Sequence, residues 1–444
     1  MTPTPGPGVR VAGRPSVAAA LDRAAPVAVL ALPLFLLHGR GIADALVIAI
    51  AALFLARSAA ARDWAWLRRG WVAVAAAWWG WLVLCSALAG PASLAQALGV
   101  ARFLLFVAAL EHWALRDPWV RRWLLRLVQA AAAYIALQSL VQFAAGRNLF
   151  GYPRGADGEL TGPYENPRAA PPLSRLLFPA LLPPVAQLLD RGWWRLAGTG
   201  LTLGAVGVMV LIGQRMPLLL TLLGLLATVL LLPRLRAVAL SALVAAGLLL
   251  AAASVVSPPA FARLVIKFSA QMASFPDSHY GQIAARAVAI ARAHPVLGRG
   301  FDGFRTGCAD PAYFQGWDGG EGGGAGVCVQ HTHNFYLQAA VEGGLPGLLL
   351  FSALALAWLR ALGRGLGRRS GREADPLRTG LFVAALLHLW PLASTSAFTS
   401  MPLSGWFFLL LGLGLAEAGD YMQRPSLTPS RDPRGTPCPT NSSP

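Results

Sequence analysis

The chain has 444 residues, with 37 Lys and Arg against 20 Asp and Glu and a formal net charge of +17. It is 56% hydrophobic and only 13% charged, with a mean hydropathy of +0.54, whereas soluble domains carry about 25% charged residues. These values exclude a soluble multidomain protein. They also argue against a nucleic-acid partner, because the basic residues fall in short breaks between apolar runs and not on one soluble face.

Runs of about twenty apolar residues read as bilayer spans. A first group is expected over Ser16 to His38, Ile42 to Leu55, Trp71 to Leu88, Leu94 to Leu110 and Trp123 to Phe143. Ile42 to Leu55 is short, and Arg102 interrupts the fourth run. After a polar interval from Gly146 to Ala170 come Pro171 to Leu189, Leu196 to Ile212, Pro217 to Leu232 and Ala237 to Val256. A long polar interval from Ser257 to Gln330 precedes Asn334 to Leu359, Leu377 to Ala393 and Leu403 to Glu417. The expectation is an all-α polytopic membrane protein of about 12 transmembrane helices. It divides into nine helices over 1–256, a large loop over 257–333, three helices over 334–418, and a disordered Pro-, Ser- and Arg-rich tail over 419–444. The first run lacks a small-x-small cleavage site and is followed at once by the second, so it reads as a retained span and not a signal peptide.

The arginines orient the chain. With the N-terminus in the cytoplasm, alternate connections carry Arg57, Arg62, Arg68 and Arg69; Arg116, Arg121 and Arg122; Arg191 and Arg195; Arg234 and Arg236; and Arg360, Arg364, Arg368, Arg369, Arg372 and Arg378. All then lie inside, and the short outer turns are nearly uncharged, as the positive-inside rule requires. Both polar intervals fall outside and both termini inside. Of the 4 cysteines, Cys308 and Cys328 flank a Gly-rich stretch in the large loop, where an extracytoplasmic location permits a disulfide.

Three outer segments carry chemistry. The turn Gly213-Gln214-Arg215-Met216-Pro217 sets an arginine between two apolar runs. Spacing alone leaves two readings open, snorkelling to lipid headgroups or anion binding. Residues Gly281 to Pro295 place Ile283, Ala287, Val288 and Ile290 at helical spacing and read as an amphipathic helix stopped by Pro295. Gly298, Gly300 and Gly303 follow as a flexible turn. On spacing, Arg286 and Arg292 fit a solvated helix face. The third segment is His331-Thr332-His333-Asn334, opening a span that continues through Glu342, Gly344 and Gly347. Two histidines two apart suit a metal on an extended segment, but no third or fourth ligand lies nearby, so no metal is expected. An imidazole at this junction can act as a general base near neutral pH.

Taken together and in this order, these segments resemble the O-antigen ligase and polymerase superfamily, and within it the O-antigen ligases of Gram-negative bacteria (WaaL-type). His333-Asn334, a nine-residue spacer, then Gly344 and Gly347 resemble the family's His-Asn…Gly-x-x-Gly signature. Arg286 with His294-Pro295, Gly298 and Gly300 is similar to the pattern upstream of it. The Gln214-Arg215 turn is similar to a Ser-Arg-Gly turn, and Gly162 to Arg168 (GPYENPR) resembles a Gly-x-x-x-Asn-Pro-Asn outer loop, with Arg168 replacing the final Asn. The resemblance covers about Gly146 to Phe351.

The resemblance implies a GT-C-like membrane glycosyltransferase of the bacterial inner membrane, working at its periplasmic face. The donor is a glycan on undecaprenyl pyrophosphate and the acceptor a sugar hydroxyl of lipid A-core, with no cofactor, metal, nucleotide sugar or ATP. His333 is then the base. Arg215 and Arg286 hold the pyrophosphate as charge grows on it. Tyr164, Asn166, Arg168, His331 and Asn334 are further site candidates. Attack opposite the leaving group inverts the anomeric carbon. An O-antigen polymerase or a protein O-oligosaccharyltransferase of the same superfamily is the alternative. Two outer loops of about 25 and about 75 residues favour the ligase over the polymerase. A polysaccharide or lipid transporter fits less well, because polar groups cluster at one surface and not at mid-membrane.

Overall fold

The computed structural model describes residues 17–313, 328, 331–366, 374–392 and 397–423. The segment before Val17, most of the Gly-rich stretch before Cys328, Arg368, Arg369, Arg372 and the tail beyond Gln423, including Cys438, lie outside the described residues.

Every expected span is a helix: α1 Val17–His38, α2 Arg40–Ala61, α3 Gly70–Ala89, α4 Pro91–Ala109, α5 Pro118–Ala145, α6 Ala170–Leu189, α7 Arg195–Ile212, α8 Arg215–Leu231 and α9 Arg236–Val256. The large loop folds into short helices, α10 Pro258–Phe261, α11 Lys267–Ala273, α12 His279–Ala293 and α13 Gly303–Gly307. The chain then returns as α14 Phe335–Gly363, α15 Pro376–His388 and α16 Leu403–Gln423. Among the described residues, ten helical segments are long and apolar enough to cross a membrane. Among the described residues there is no β-strand, only an isolated bridge between Arg147 and Pro153. This is an all-α polytopic membrane protein.

Helix boundaries depart from the hydropathy runs where polar residues cap or extend a helix. Asp117 caps α5, its side chain accepting from Trp119 N at 2.8 Å, so that helix starts before Trp123 and takes in Arg121, Arg122 and Arg126. Helix α2 is 22 residues long, not the 14 or so of its apolar core. Helix α15 is shorter than expected: it stops at His388, three residues before Pro391, which cannot donate to a helix. At 13 residues it rises only about 20 Å, less than the bilayer core. The irregular backbone that follows is hydrogen-bonded by α14, as described below.

Helix α14 is broken. Gly344 has φ 63° and ψ −160°, and Pro346 lies two residues on. A break at this depth frees backbone groups that lipid cannot satisfy. The segment after α12 supplies their partners. Arg299 N donates to Val341 O at 2.8 Å, Gly300 N to Glu342 O at 3.0 Å, and Leu345 N donates to Pro295 O at 2.8 Å. The indole of Trp81, on α3, donates to Gly343 O at 2.8 Å. The same segment is pinned to the α3–α4 turn, with Phe301 N donating to Ser86 Oγ and Ser93 Oγ to Phe301 O. Residues 298–303 are therefore a packed turn and not a flexible one. Its glycines are required by contact: a Cβ on Gly298 would lie 2.4 Å from Glu342 C, and one on Gly344 only 2.3 Å from Val296 O.

Gly344→Ala is expected to abolish the folded protein or lower its melting temperature in detergent by more than ten degrees, since both the positive φ and the contact forbid a Cβ. Gly204→Ala, in α7 with nothing within 4 Å, should leave the melting temperature unchanged or slightly higher. Equal behaviour of the two variants in thermal unfolding would refute this account of the break.

Candidate active site

His333 stands immediately before α14. Its backbone is left-handed, φ 55°, a conformation that histidine tolerates better than most side chains. Two neighbours hold it there. Thr332 Oγ1 donates to Asn334 O at 2.7 Å. Asn334 caps α14, its Oδ1 accepting from Tyr336 N at 2.9 Å and Leu337 N at 3.1 Å. Asn334 Nδ2 also donates to Pro391 O at 2.6 Å, and the Tyr336 hydroxyl donates to Leu389 O at 2.8 Å. These bonds tie the His-Asn junction to the irregular chain after α15. The imidazole of His333 lies 5.3 Å from the Tyr280 ring and 4.2 Å from that of His331.

The interval between α5 and α6 is shaped from within by two buried amides. Gln142 Oε1 accepts from Thr161 N at 2.7 Å, and its Nε2 donates to Pro153 O and Thr161 Oγ1. Asn148 Nδ2 donates to Gly162 O at 2.7 Å, while its Oδ1 accepts from Phe150 N and Tyr152 N. The loop is thus fixed, and Tyr164, Asn166 and Arg168 are presented from it. Burial pushes the Tyr164 phenol up from its ordinary value, so it stays a neutral hydroxyl.

Gly213, with φ 76°, ends α7, and Gln214 leads into α8 with Arg215 at its first position. Gln214 Nε2 donates to Pro167 O at 2.9 Å, joining this turn to the preceding loop. Arg215 donates to Gln271 Oε1 on α11. Arg263 cross-links the same region: Nε donates to Gly213 O at 3.1 Å, Nη1 to Asp157 Oδ2 at 3.0 Å, and Nη2 pairs with Glu159. Burial pulls its guanidinium below the ordinary value, while the charge of Asp157 opposes that shift.

All of these segments meet at one cavity of about 1950 Å³. His331, His333, Asn334, Arg215, Tyr164, Asn166 and Arg168 line it together. Its wall continues into the bundle through Ile48, Val100 and Arg102, so part of it is apolar and helix-lined. Arg102 is held by Asp44 at 2.9 Å and by Gly99 O at 2.6 Å. The helix ends at this face are the C-termini of α1, α3, α5, α7, α9 and α15 and the N-termini of α2, α4, α6, α8, α14 and α16. Arginines 57, 62, 68, 69, 191, 195, 234 and 236 therefore fall at the opposite end of the bundle.

Arg286 does not line the cavity. Arg215 and His333 line the same cavity, whereas Arg286, expected to converge with them, lies outside its lining. Arg286 shares one face of α12 with Ile283, Ala287 and Ile290, and that face packs against Phe304, Cys308 and Val341. Its side chain is 1% exposed, and burial pulls its pKa down to about 10, so it remains a cation. Nη1 lies 3.0 Å from Cys328 Sγ and 3.5 Å from Cys308 Sγ, and those two cysteines form a disulfide. Arg292 is exposed, as a solvated face requires.

Several cavity residues were not singled out from the sequence. Tyr280, Arg263, Gln271 and Arg305 all line it, beside Asp302. Asp302 pairs with Arg305 at 2.5 Å, and its backbone N donates to the buried Glu342 carboxylate at 3.2 Å. For Tyr280 a signal existed: it sits one turn before Ala284, beside the apolar stripe of α12, and both line the cavity.

Fold and site define a many-pass helical membrane protein whose large loop and helix ends enclose a basic, histidine-bearing cavity at one face. Residues 200–352 match the family model described as O-antigen ligase, and over this part the chain is similar to the O-antigen ligase and polymerase superfamily. The match includes Arg215, Arg286, His331, His333 and Asn334, whereas Tyr164, Asn166 and Arg168 precede it. No curated protein matches the chain.

Asn334→Ala removes both the helix cap and the bond to Pro391, and should cost about 1–2 kcal/mol of stability. Asn334→Asp keeps the cap oxygen and loses the donor, so its loss should be smaller. Thermal melting of the two purified variants distinguishes them. Equal melting temperatures for Asn334→Ala and the unaltered protein would show that the junction is held by other contacts.

Proposed function

We propose that the chain is a ligase: it moves a glycan from a polyprenyl pyrophosphate, undecaprenyl pyrophosphate, to a sugar hydroxyl of lipid A-core at the periplasmic face of the bacterial inner membrane. The observation that carries this reading is the meeting of His333 and Arg215 at one cavity within the segment that matches the O-antigen ligase family. The cavity has room for both a pyrophosphate and sugar rings, and its apolar, helix-lined part suits the first isoprene units of a lipid carrier.

The chemistry follows from the groups present. The bond between the anomeric carbon and the pyrophosphate oxygen breaks, and the electron pair leaves with the pyrophosphate. Arg215 stabilises that charge bidentately, aided by the position of its backbone at the first turn of α8, where free N–H groups favour anions. Arg263, although paired with Asp157 and Glu159, adds a second guanidinium to the same wall. The acceptor hydroxyl attacks the opposite face of the anomeric carbon, and its proton passes to the imidazole of His333. Configuration inverts. Asn166, Arg168, Tyr164 and His331 contact sugar or phosphate oxygens. Arg286 acts through the fold, bracing α12 beneath the Cys308–Cys328 disulfide. The reaction as written requires no metal.

Purified protein reconstituted with polyprenyl-pyrophosphate glycan and lipid A-core should lose on the order of 10²–10⁴-fold in kcat when His333 is replaced by Ala. A wild-type rate for His333→Ala removes the base role. Arg215→Ala should lower kcat by about 10²-fold or more, with Arg215→Lys intermediate because Lys lacks the bidentate fork. A chelator should leave the rate unchanged. In a strain lacking the protein, the ligase reading predicts that long glycan disappears from core while polymer still accumulates on the lipid carrier. Loss of the polymer itself would assign the chain as the polymerase instead.

A further inference from the structure

We infer that Tyr280 is a positioning residue for His333, and that its ring, not its hydroxyl, does the positioning. The inference rests on the proposed role of His333 as the base. The two rings lie 5.3 Å apart with planes at 83°, an edge-to-face pair. The second neighbour of the imidazole is His331, at 4.2 Å and 54°. With the backbone of His333 held left-handed between Thr332 and the Asn334 cap, these two rings restrict rotation of the imidazole.

Tyr280 is itself fixed where it stands. It lies in the first turn of α12, capped by Ser278, whose Oγ accepts from Gly281 N at 3.1 Å and donates to Phe275 O at 2.6 Å. Gly281, the next residue, presses its backbone against the preceding turn so closely that a Cβ would lie 2.0 Å from Phe275 O. The turn therefore cannot drift away from the cavity without breaking this contact. Yet the side chain of Tyr280 is 41% exposed and lines the cavity, so it is not there to fill a core. A large aromatic ring carried on an anchored turn at the surface of a cavity, edge to face with the proposed base, does what a positioning group must. It limits the imidazole to orientations from which one nitrogen meets the acceptor hydroxyl. A general base gains from such restriction because misplacement by about 1 Å costs up to about 10²-fold in rate.

The test uses the full-length reconstituted protein with the glycan donor on polyprenyl pyrophosphate and lipid A-core. Tyr280→Phe keeps the ring and should stay within about two-fold of the unaltered kcat, whereas Tyr280→Leu should lose about ten-fold or more. The KM for either substrate should change by less than about two-fold in both variants, because positioning of the base is felt in the chemical step. A kcat for Tyr280→Leu equal to that of the unaltered protein overturns the inference. So does a loss in Tyr280→Phe as large as in Tyr280→Leu, which would assign the effect to the hydroxyl. A second measurement separates this outcome from failure of the base itself. His333→Gly suits the left-handed backbone, and added imidazole should restore part of its activity. In His333→Gly with Tyr280→Leu, half-maximal restoration should need several-fold more imidazole. Full activity in His333→Gly without imidazole would remove the base reading. Restoration that is indifferent to Tyr280, with His333→Gly otherwise inactive, would leave the base in place and reject the positioning role.

Discussion

The break in α14 at Gly344 is the constraint on which the site depends. A membrane helix interrupted in mid-course exposes carbonyls and an N–H that lipid cannot satisfy. Here Val341 O, Glu342 O and Leu345 N are taken up by the segment Pro295 to Gly300, and Gly343 O by Trp81. The exchange runs both ways. The broken helix gains its partners, and a segment of a large soluble-facing loop is locked into the helix bundle beside α3. Glycine at 298 and 344 is what lets two backbones approach this closely. Because His333 stands at the start of the same helix, one set of backbone bonds fixes the distance between the histidine and the loop that faces it.

A second set of polar links brings the remaining segments to the same place. Gln142 and Asn148 fold the loop between α5 and α6 from inside, Gln214 joins that loop to the turn before α8, and Arg263 ties both to the helices after α9. Three stretches far apart in the chain thereby share one cavity. Three of the arginines that line it are also paired with carboxylates, Arg102 with Asp44, Arg263 with Glu159 and Arg305 with Asp302. Pairing moderates the cost of gathering guanidinium groups near a membrane. Among the described residues, the partner of Arg215 is the neutral amide of Gln271 and not a carboxylate.

Much of this was legible from residue order. Each of the twelve apolar runs fell on a helix, and ten helical segments among the described residues are long and apolar enough to cross a membrane. The His333-Asn334 junction and its spacing to Gly344 and Gly347 were legible as a motif, and the structure supplies the reason: a cap at one end of a helical segment and a break at the other. The end of α15 was misjudged because hydropathy does not register that Asn334 and Tyr336 bond the chain beyond His388. The placement of Arg286 away from the cavity was not legible from its charge. Its spacing from Ile283, Ala287 and Ile290 already places it on the buried face of α12, and the partners on that face, the Cys308–Cys328 bridge among them, are distant in sequence. Tyr280, Arg263 and Gln142 act through contacts across tens of residues, which no local pattern encodes.

The central claim is that the donor pyrophosphate binds at Arg215 within reach of His333. A structure of the full-length protein with a bound polyprenyl pyrophosphate tests it most directly. The account predicts phosphate oxygens within hydrogen-bonding distance of the Arg215 guanidinium, the anomeric position facing His333, and the isoprenoid tail leaving along the wall that contains Ile48 and Val100. A pyrophosphate seated outside this cavity, or held with His333 turned away from it and out of reach of any acceptor, would contradict it.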